Sequence, residues 1–235
     1  MARPFLTATW ADLILANFTV PDHLLLRRLP RGIELDRFHG SACASLVGFR
    51  FLDCRVFGVK WPLHVNFPEF NLRFYVRHTE SNRRGVMFVR EFVPRRAIAA
   101  IANLTYNEPY AFTPMTEHQA RFAAERKIRL NFFVQGRRQS IATISREAPV
   151  TPLPTSDDHF FKERQWGFGV TRSGRTLTYE VNHPVWRVYP VTSHAIDIDW
   201  TLLYGKPWGV MQHAKPVSVI HAEGSRVEVQ PLKTS

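Results

Sequence analysis

The sequence predicts a mainly β chain with a few short flanking helices, an α+β class in which strands carry the core. Three observations point there. Residues 67–77 alternate strictly, with Phe70, Leu72, Phe74 and Val76 on one side and Glu69, Asn71, Arg73, Tyr75 and Arg77 on the other, which is the period of an extended strand. Residues 41–51 repeat the pattern, with Cys43, Ser45, Val47, Phe49 and Phe51 sharing a side. Further short apolar runs are punctuated by Gly136, Gly174, Gly205 and Gly224, as strands joined by turns require. The 235 residues suit one domain spanning residues 1–235, with an ordered core over about 10–230.

In chain order, residues 10–29 read as an extended strand running into a short helix, with Pro21 at or before the first turn and Asp22 as its cap. Pro30 and Gly32 stop that helix. The half-buried strand 41–51 follows, then strand 67–77, whose polar side is either solvent surface or the lining of an interior. Residues 81–85 form a hairpin turn and 86–92 the returning strand. Pro94 opens a short helix over residues 97–102. Strands are expected at 129–134, 140–146, 167–171, 176–181, 195–203 and 217–229. Beyond Pro149, Pro152 and Pro154, Ser156 caps a brief helix over residues 157–164.

Charge narrows the partners less than it first suggests. Lys and Arg number 31, with Arg supplying 25, against 20 acidic residues, a formal +11. Residues 1–149 hold 22 basic and 12 acidic groups, whereas residues 150–235 hold 9 and 8, so one end or face is positive. Such a field attracts phosphates, anionic membranes and carboxylates alike. No recognition helix or stacking motif accompanies it, so nucleic acid is not the expected partner, and a basic nucleic-acid-binding or scaffold protein is an alternative reading only. Cys43 and Cys54 are too few for a disulfide framework and lack zinc spacing. The apolar stretch 13–16 sits between Asp12 and Asn17 with no cleavage site after it, unlike a signal peptide. No uncharged run reaches the roughly 20 residues that cross a bilayer. Cytoplasmic residence without membrane association is the expectation, and homo-oligomerisation is left open.

Strong chemical signatures are missing. There is no Gly-rich phosphate loop and no Gly-x-Ser-x-Gly elbow, so no cofactor is expected. His194, Asp197 and Asp199 come nearest to a metal cluster, but on a strand His194 faces away from the two aspartates, and no metal is expected. His183-Pro184-Val185-Trp186 holds a histidine in extended geometry, either as a buried corner or as a general acid or base. Glu163-Arg164 reads as a structural salt bridge.

The most informative stretch is Val89-Arg90-Glu91-Phe92-Val93-Pro94-Arg95-Arg96-Ala97, taken with Leu29-Pro30-Arg31-Gly32-Ile33-Glu34-Leu35-Asp36 upstream. It resembles the acetoacetate decarboxylase-like superfamily, whose members carry Pro-x-x-Leu-Glu-x-Asp and later Arg-Glu, a short spacer and Pro-Lys-Lys. Phe160-Phe161-Lys162-Glu163-Arg164 and Tyr179-Glu180-Val181-Asn182-His183-Pro184-Val185-Trp186 are similar to the YqjF-like uncharacterised domain family within that superfamily, and the match spans residues 10–230. The resemblance implies an antiparallel, somewhat conical β-barrel with helices against it and a ligand cavity inside. It also implies a site, because in the decarboxylase the first lysine of Pro-Lys-Lys forms a Schiff base with a keto acid. Arg95 and Arg96 stand there in this chain, after a spacer one residue shorter. A guanidinium keeps its proton and cannot form an imine, so Schiff-base decarboxylation is expected to be absent.

What arginine does well is hold a carboxylate or phosphate with its planar fork. The resulting expectation is a barrel binding a small anionic, carboxylated organic molecule. Arg73, Arg90 and Arg95 would supply charge, and Tyr75 and Trp186 would belong to the aromatic lining. Glu69, at a place resembling the superfamily's acidic cavity residue, Glu91 and His183 are the candidates for proton transfer should the protein be an acid–base enzyme. The alternative for the arginines and glutamates is a network bracing strands.

Overall fold

The computed structural model describes residues 3–105, 107–122 and 124–234. Its strands begin with β1 (Leu6–Thr19), β2 (Ile33–Leu35), β3 (Cys43–Val56), β4 (Phe67–His78) and β5 (Arg84–Val93). Then follow β6 (Tyr110–Phe112), β7 (Met115–Phe122), β8 (Glu125–Val134), β9 (Arg137–Arg146), β10 (Trp166–Val170) and β11 (Thr176–Asn182). The last are β12 (Val188–Tyr189), β13 (Val191–Asp197), β14 (Ser218–Val229) and β15 (Lys233–Thr234). The α-helices are α1 (His23–Leu26), α2 (Arg96–Thr105), α3 (Asp157–Lys162) and α4 (Trp200–Tyr204).

Seven strands hydrogen-bond in the order β14–β1–β3–β4–β5–β10–β11, and β11 pairs again with β14, so the order returns on itself as a ring. The expectation of a purely antiparallel arrangement is corrected here: β5 pairs in parallel with β10 and with β6. Parallel neighbours need a long crossover, and α2 provides one between β5 and β6, while β7, β8 and β9 of the second sheet lie between β5 and β10 in sequence. That second sheet is an antiparallel meander with the order β13–β9–β8–β7.

Two apolar clusters follow from the two faces of the ring. Phe70, Leu72, Phe74 and Val76 of β4 pack outward with Ile128, Leu130 and Phe132 of β8 and Ile141 of β9, and the rings of Phe70 and Phe132 lie 4.4 Å apart. The inward cluster contains Cys43, Val47, Phe49, Phe51, Phe67, Tyr75 and Val181. Because the meander covers its outer face, β3 is buried on both sides from Cys43 to Phe49, not half-buried.

Three irregularities re-aim side chains between these faces. In β1 the register against β3 slips between Ala11 and Ile14, at Asp12 with φ 55°. Inward residues are therefore Ala8 and Trp10 before the slip and Leu13 and Leu15 after it. A second slip between Thr7 and Thr9 accompanies Asp53, φ 51°, and passes the inward role in β3 from Phe51 to Cys54. In β5, Leu72 faces Arg90 but Arg73 faces Phe88, leaving Val89 as the extra residue of a bulge. Gly224, φ 82° and opposite Ala11, lies inside β14: a Cβ there would collide with the Trp10 carbonyl oxygen, so only glycine fits.

Other elements correct the sequence reading locally. The expected strand 195–203 is β13 up to Asp197 and then α4, which Asp199 caps by accepting from Leu202 N at 2.9 Å. Asp22 makes no side-chain cap on α1, since its carboxylate is engaged by Arg37. Ser156 does cap α3, accepting from His159 N at 3.3 Å. Among the described residues no helix is long and apolar enough to cross a membrane.

Candidate functional site

A cavity of about 260 Å³ opens on the inward face of the ring, close to the roughly 300 Å³ at which small-molecule pockets commonly begin. The polar side of β4, whose exposure period two left open, is interior: Glu69, Asn71, Arg73 and Tyr75 are all buried, and the first three line the cavity. Only Arg77 of that side is exposed. Most of the remaining wall is apolar, including Trp10, Phe49, Phe51, Phe67 and Val181.

At one end the side chains are acids. The bulge at Val89 turns Glu91 inward, directly opposite Asn71 on β4 and Tyr110 on β6. Asn71 Nδ2 donates to Glu69 Oε1 at 2.9 Å and Tyr110 Oη donates to Glu69 Oε2 at 3.1 Å. Glu108, held just before β6, accepts from the Tyr179 hydroxyl of β11. Gly167 makes this possible, because a Cβ at that position would overlap the Tyr179 ring. Burial pushes Glu69 and Glu108 up to about 7. Glu91 is likewise raised well above the ordinary carboxylate range, by burial and then by the charges of Glu108 and Glu69. At neutral pH the cluster therefore retains protons.

At the other end the side chains are cations. Arg73 stands four residues along β4 from Glu69, a Cα separation of roughly 13 Å at strand rise. Its Nη2 donates to Phe161 O at 3.0 Å. No carboxylate pairs with it among the described residues, and its buried Nε is without an acceptor. Arg164, also in the wall, pairs with Asp36 at 2.7 Å, yet Arg84 claims the same carboxylate oxygen, and Arg164 Nε and Nη2 are left without acceptors. Burial pushes Arg164 down to about 10 against the favourable charge of Asp36.

The other sequence candidates lie elsewhere. Arg90 is exposed on the outward side of the bulge and donates to Leu203 O at 2.9 Å. Arg95 clasps the loop after β3 through Leu63 O at 2.8 Å, and Arg96 lies 4.6 Å over the Phe112 ring; none of these three lines the cavity. Tyr75 shares the inward side of β4, but its hydroxyl is spent on Ser45 and Phe161 O. His183 stacks 4.2 Å from the Trp186 ring and meets Pro184 O at 2.9 Å, while Trp186 donates from Nε1 to Ser225 Oγ at 2.8 Å. Neither lines the cavity. Sequence reasoning missed Glu108, Tyr110 and Tyr179 as cavity residues, and took Arg164 for a brace.

The acid cluster makes a pH prediction. Groups whose folded pKa is raised from about 4.5 towards 7 contribute stability that is complete below about 4.5 and is lost as pH rises through 7. The melting temperature of the ligand-free protein is expected to fall between pH 5 and pH 8, and Glu108→Gln to flatten that fall. A profile as steep in the variant as in the parent would contradict this.

Comparisons with known proteins agree with the fold. A model of the family DUF2071, described as "Uncharacterized conserved protein", matches residues 7–226. The uncharacterized protein YqjF of Bacillus subtilis (strain 168) is 30% identical over 108 residues, 46% of this chain and 44% of YqjF. The chain thus matches less than half the length of that curated relative. Among solved structures, the enduracididine biosynthesis enzyme MppR complexed with pyruvate superposes with a TM-score of 0.69 at 14% identity, over 100% of this chain and 91% of that one. An acetoacetate decarboxylase-like enzyme from Sphingomonas wittichii RW1 gives 0.67 at 10%, over 100% and 94%. Acetoacetate decarboxylase from Legionella pneumophila gives 0.66 at 12%, over 100% and 88%. At these identities the likeness is one of fold.

Proposed function

The chain belongs to the DUF2071 family and shares the acetoacetate decarboxylase-like fold, and from that premise we propose that it binds a small carboxylated organic molecule inside its ring of strands, which works as a barrel. The observation that carries this reading is the Arg73 guanidinium, buried in the cavity wall without a carboxylate partner among the described residues. A buried cation is costly unless paired, and a ligand carboxylate supplies the missing partner through the planar fork of Arg73 and the idle nitrogens of Arg164. The pyruvate held by MppR, a protein of the same fold, supports the ligand class. Cytoplasmic location belongs to the same proposal.

A second reading, that the bound molecule is also transformed, is favoured by the upward-shifted carboxyls of Glu69, Glu91 and Glu108 beside the same space, which suit general acid–base chemistry near neutral pH. Schiff-base decarboxylation is not part of the proposal. Arg95 and Arg96 stand where the decarboxylase has lysines, and no lysine lines the cavity among the described residues. The buried Lys162 is paired with Glu163 outside it.

The test is thermal stabilisation by a panel of short carboxylates, keto acids and phosphates. A carboxylate at a hundred times its dissociation constant is expected to add about 2.7 kcal/mol, in Arg95→Ala as in the parent protein, because Arg95 faces a loop. Stabilisation by phosphates alone, or none by any carboxylate, would refute the proposal.

A further inference from the structure

The two ends of the cavity are complementary to each other, and their idle atoms differ in kind. At the arginine end the unpartnered buried atoms are donors, Arg73 Nε with Arg164 Nε and Nη2; at the acidic end they are acceptors, Glu91 Oε1 and Asn71 Oδ1. Asn71 is itself 3% exposed and lines the cavity, so an uncharged side chain independently asks for a donor where the acids gather. No cation pairs with Glu69, Glu91 or Glu108 among the described residues. The three carboxyls share protons with one another through Glu91, and their other donors, Asn71, Tyr110 and Tyr179, are neutral. A ligand with a carboxylate and an apolar remainder would satisfy the first end and leave the second as it is.

We infer that the ligand is a dipolar molecule, a carboxylic acid that also carries a protonated nitrogen, with its carboxylate on Arg73 and its N–H donors on Glu91 Oε1 and Asn71 Oδ1. This rests on the carboxylate reading above and specifies the opposite pole. An ammonium, amidinium or imidazolium group places its donors on both idle acceptors and its charge beside three carboxyls that lack any. The apolar wall between the poles, Phe49, Phe51 and Phe67 among it, suits an aliphatic or ring spacer. The titratable groups that line the cavity around the nitrogen are Glu69 from β4, Glu91 from β5, Glu108 and Tyr110 at the start of β6, Tyr179 from β11, Cys54 from β3 and His64 from the loop after β3. Its positive charge draws the carboxyls into their ionised form, so binding releases protons to solvent.

Isothermal titration at pH 7.5 with 4-(aminomethyl)benzoate, its isostere 4-ethylbenzoate that lacks the ammonium, and benzylamine separates the possibilities, with 5-aminopentanoate and hexanoate as a flexible pair. Each amino acid is expected to bind about tenfold or more tightly than its isostere, the scale of a charge-assisted hydrogen bond. The heat should vary with the ionisation enthalpy of the buffer, as proton release requires. Glu91→Gln should abolish the preference, while Arg73→Met weakens both acids. Isosteres that bind as well as the amino acids would overturn the inference and leave the carboxylate reading standing. Benzylamine binding as tightly as 4-(aminomethyl)benzoate, with no dependence on Arg73, would overturn the carboxylate reading, and the dipolar ligand with it. Absence of binding by all five probes would overturn both.

Discussion

Replacing Asp12 with alanine is expected to cost about 3–5 kcal/mol of folding stability, the scale for removing one member of a buried ion pair and stranding the other. Asp12 lies in the β1 irregularity, 6% exposed, and accepts from Arg50 of β3, from Arg126 Nη1 of β8 at 2.5 Å and from Gln119 Nε2 of β7 at 3.1 Å. One carboxylate thus ties the ring to the second sheet. Without it, Arg126 keeps, among the described residues, Glu147 at 3.4 Å and its stacking 4.3 Å over Tyr189. The positive φ adds a further penalty for alanine that asparagine largely avoids, so Asp12→Asn should fall between parent and Asp12→Ala.

The same residue gives an acid signature. Burial works to raise the Asp12 pKa, but hydrogen bonding towards His221 and Arg50 and the charges of Arg50 and Arg126 outweigh it and hold the carboxyl far below its usual range. Its contribution is therefore present above the unfolded value near 3.8 and is lost as pH falls through the folded one. Urea titrations of parent and Asp12→Asn between pH 2.5 and pH 6 check this. The parent should lose more stability on acidification than the variant, and parallel curves, or a loss below about 1 kcal/mol in Asp12→Ala at pH 7, would show that the network does not hold the sheets together.

Arg73→Met is expected to have the opposite sign on stability and a larger effect on binding. In the ligand-free protein the substitution removes a buried charge that has no acidic partner among the described residues. The Phe161 carbonyl that Arg73 leaves still accepts from Tyr75 Oη at 3.2 Å. Exchanging buried charge for well-packed apolar volume commonly stabilises by about 1–4 kcal/mol, and binding sites are where such trade-offs concentrate. The variant should melt higher than the parent alone and lose the stabilisation that a carboxylate confers.

Much of the fold was legible in the sequence because period two survives wherever a strand is regular. The alternation of β4 identified Phe70, Leu72, Phe74 and Val76 as one packed face, and the same side of β3 that holds Cys43, Val47, Phe49 and Phe51 is the one that turns inward. Alternation alone does not say which face meets water, so the lining role of Glu69, Asn71 and Arg73 stayed open until the ring closed around them. Bulges were invisible for a different reason. A single extra residue reverses the phase of everything after it, and at Val89 this decides between neighbours: it sends Arg90 outward to α4 and Glu91 into the cavity. Both looked equally suited to a site as bare residue types.

Other cavity residues carried weaker signals. Glu108 precedes Pro109 in a stretch without period, and its only local hint is the extended geometry that a following proline imposes. Tyr110 and Tyr179 come from strands 69 residues apart in sequence, brought together by the parallel pairings of β5 with β6 and β10 that no local pattern announces. Strand β7 was likewise unread, since its alternation mixes Glu117, Gln119 and Arg121 with few apolar residues. Arg95 and Arg96 drew attention through a motif, whereas their side chains reach Leu63 O and the Phe112 ring. A motif fixes the backbone position of a residue, and the local packing then decides where its side chain is spent.

The most direct measurement is the melting temperature of Arg73→Met beside the parent protein, each with and without a saturating short carboxylate. An anion-binding Arg73 predicts a variant that melts higher than the parent when ligand-free and does not respond to the carboxylate. A variant that melts several degrees lower when ligand-free, yet shifts with carboxylate as far as the parent, would make Arg73 a structural brace and leave the cavity without its anion site.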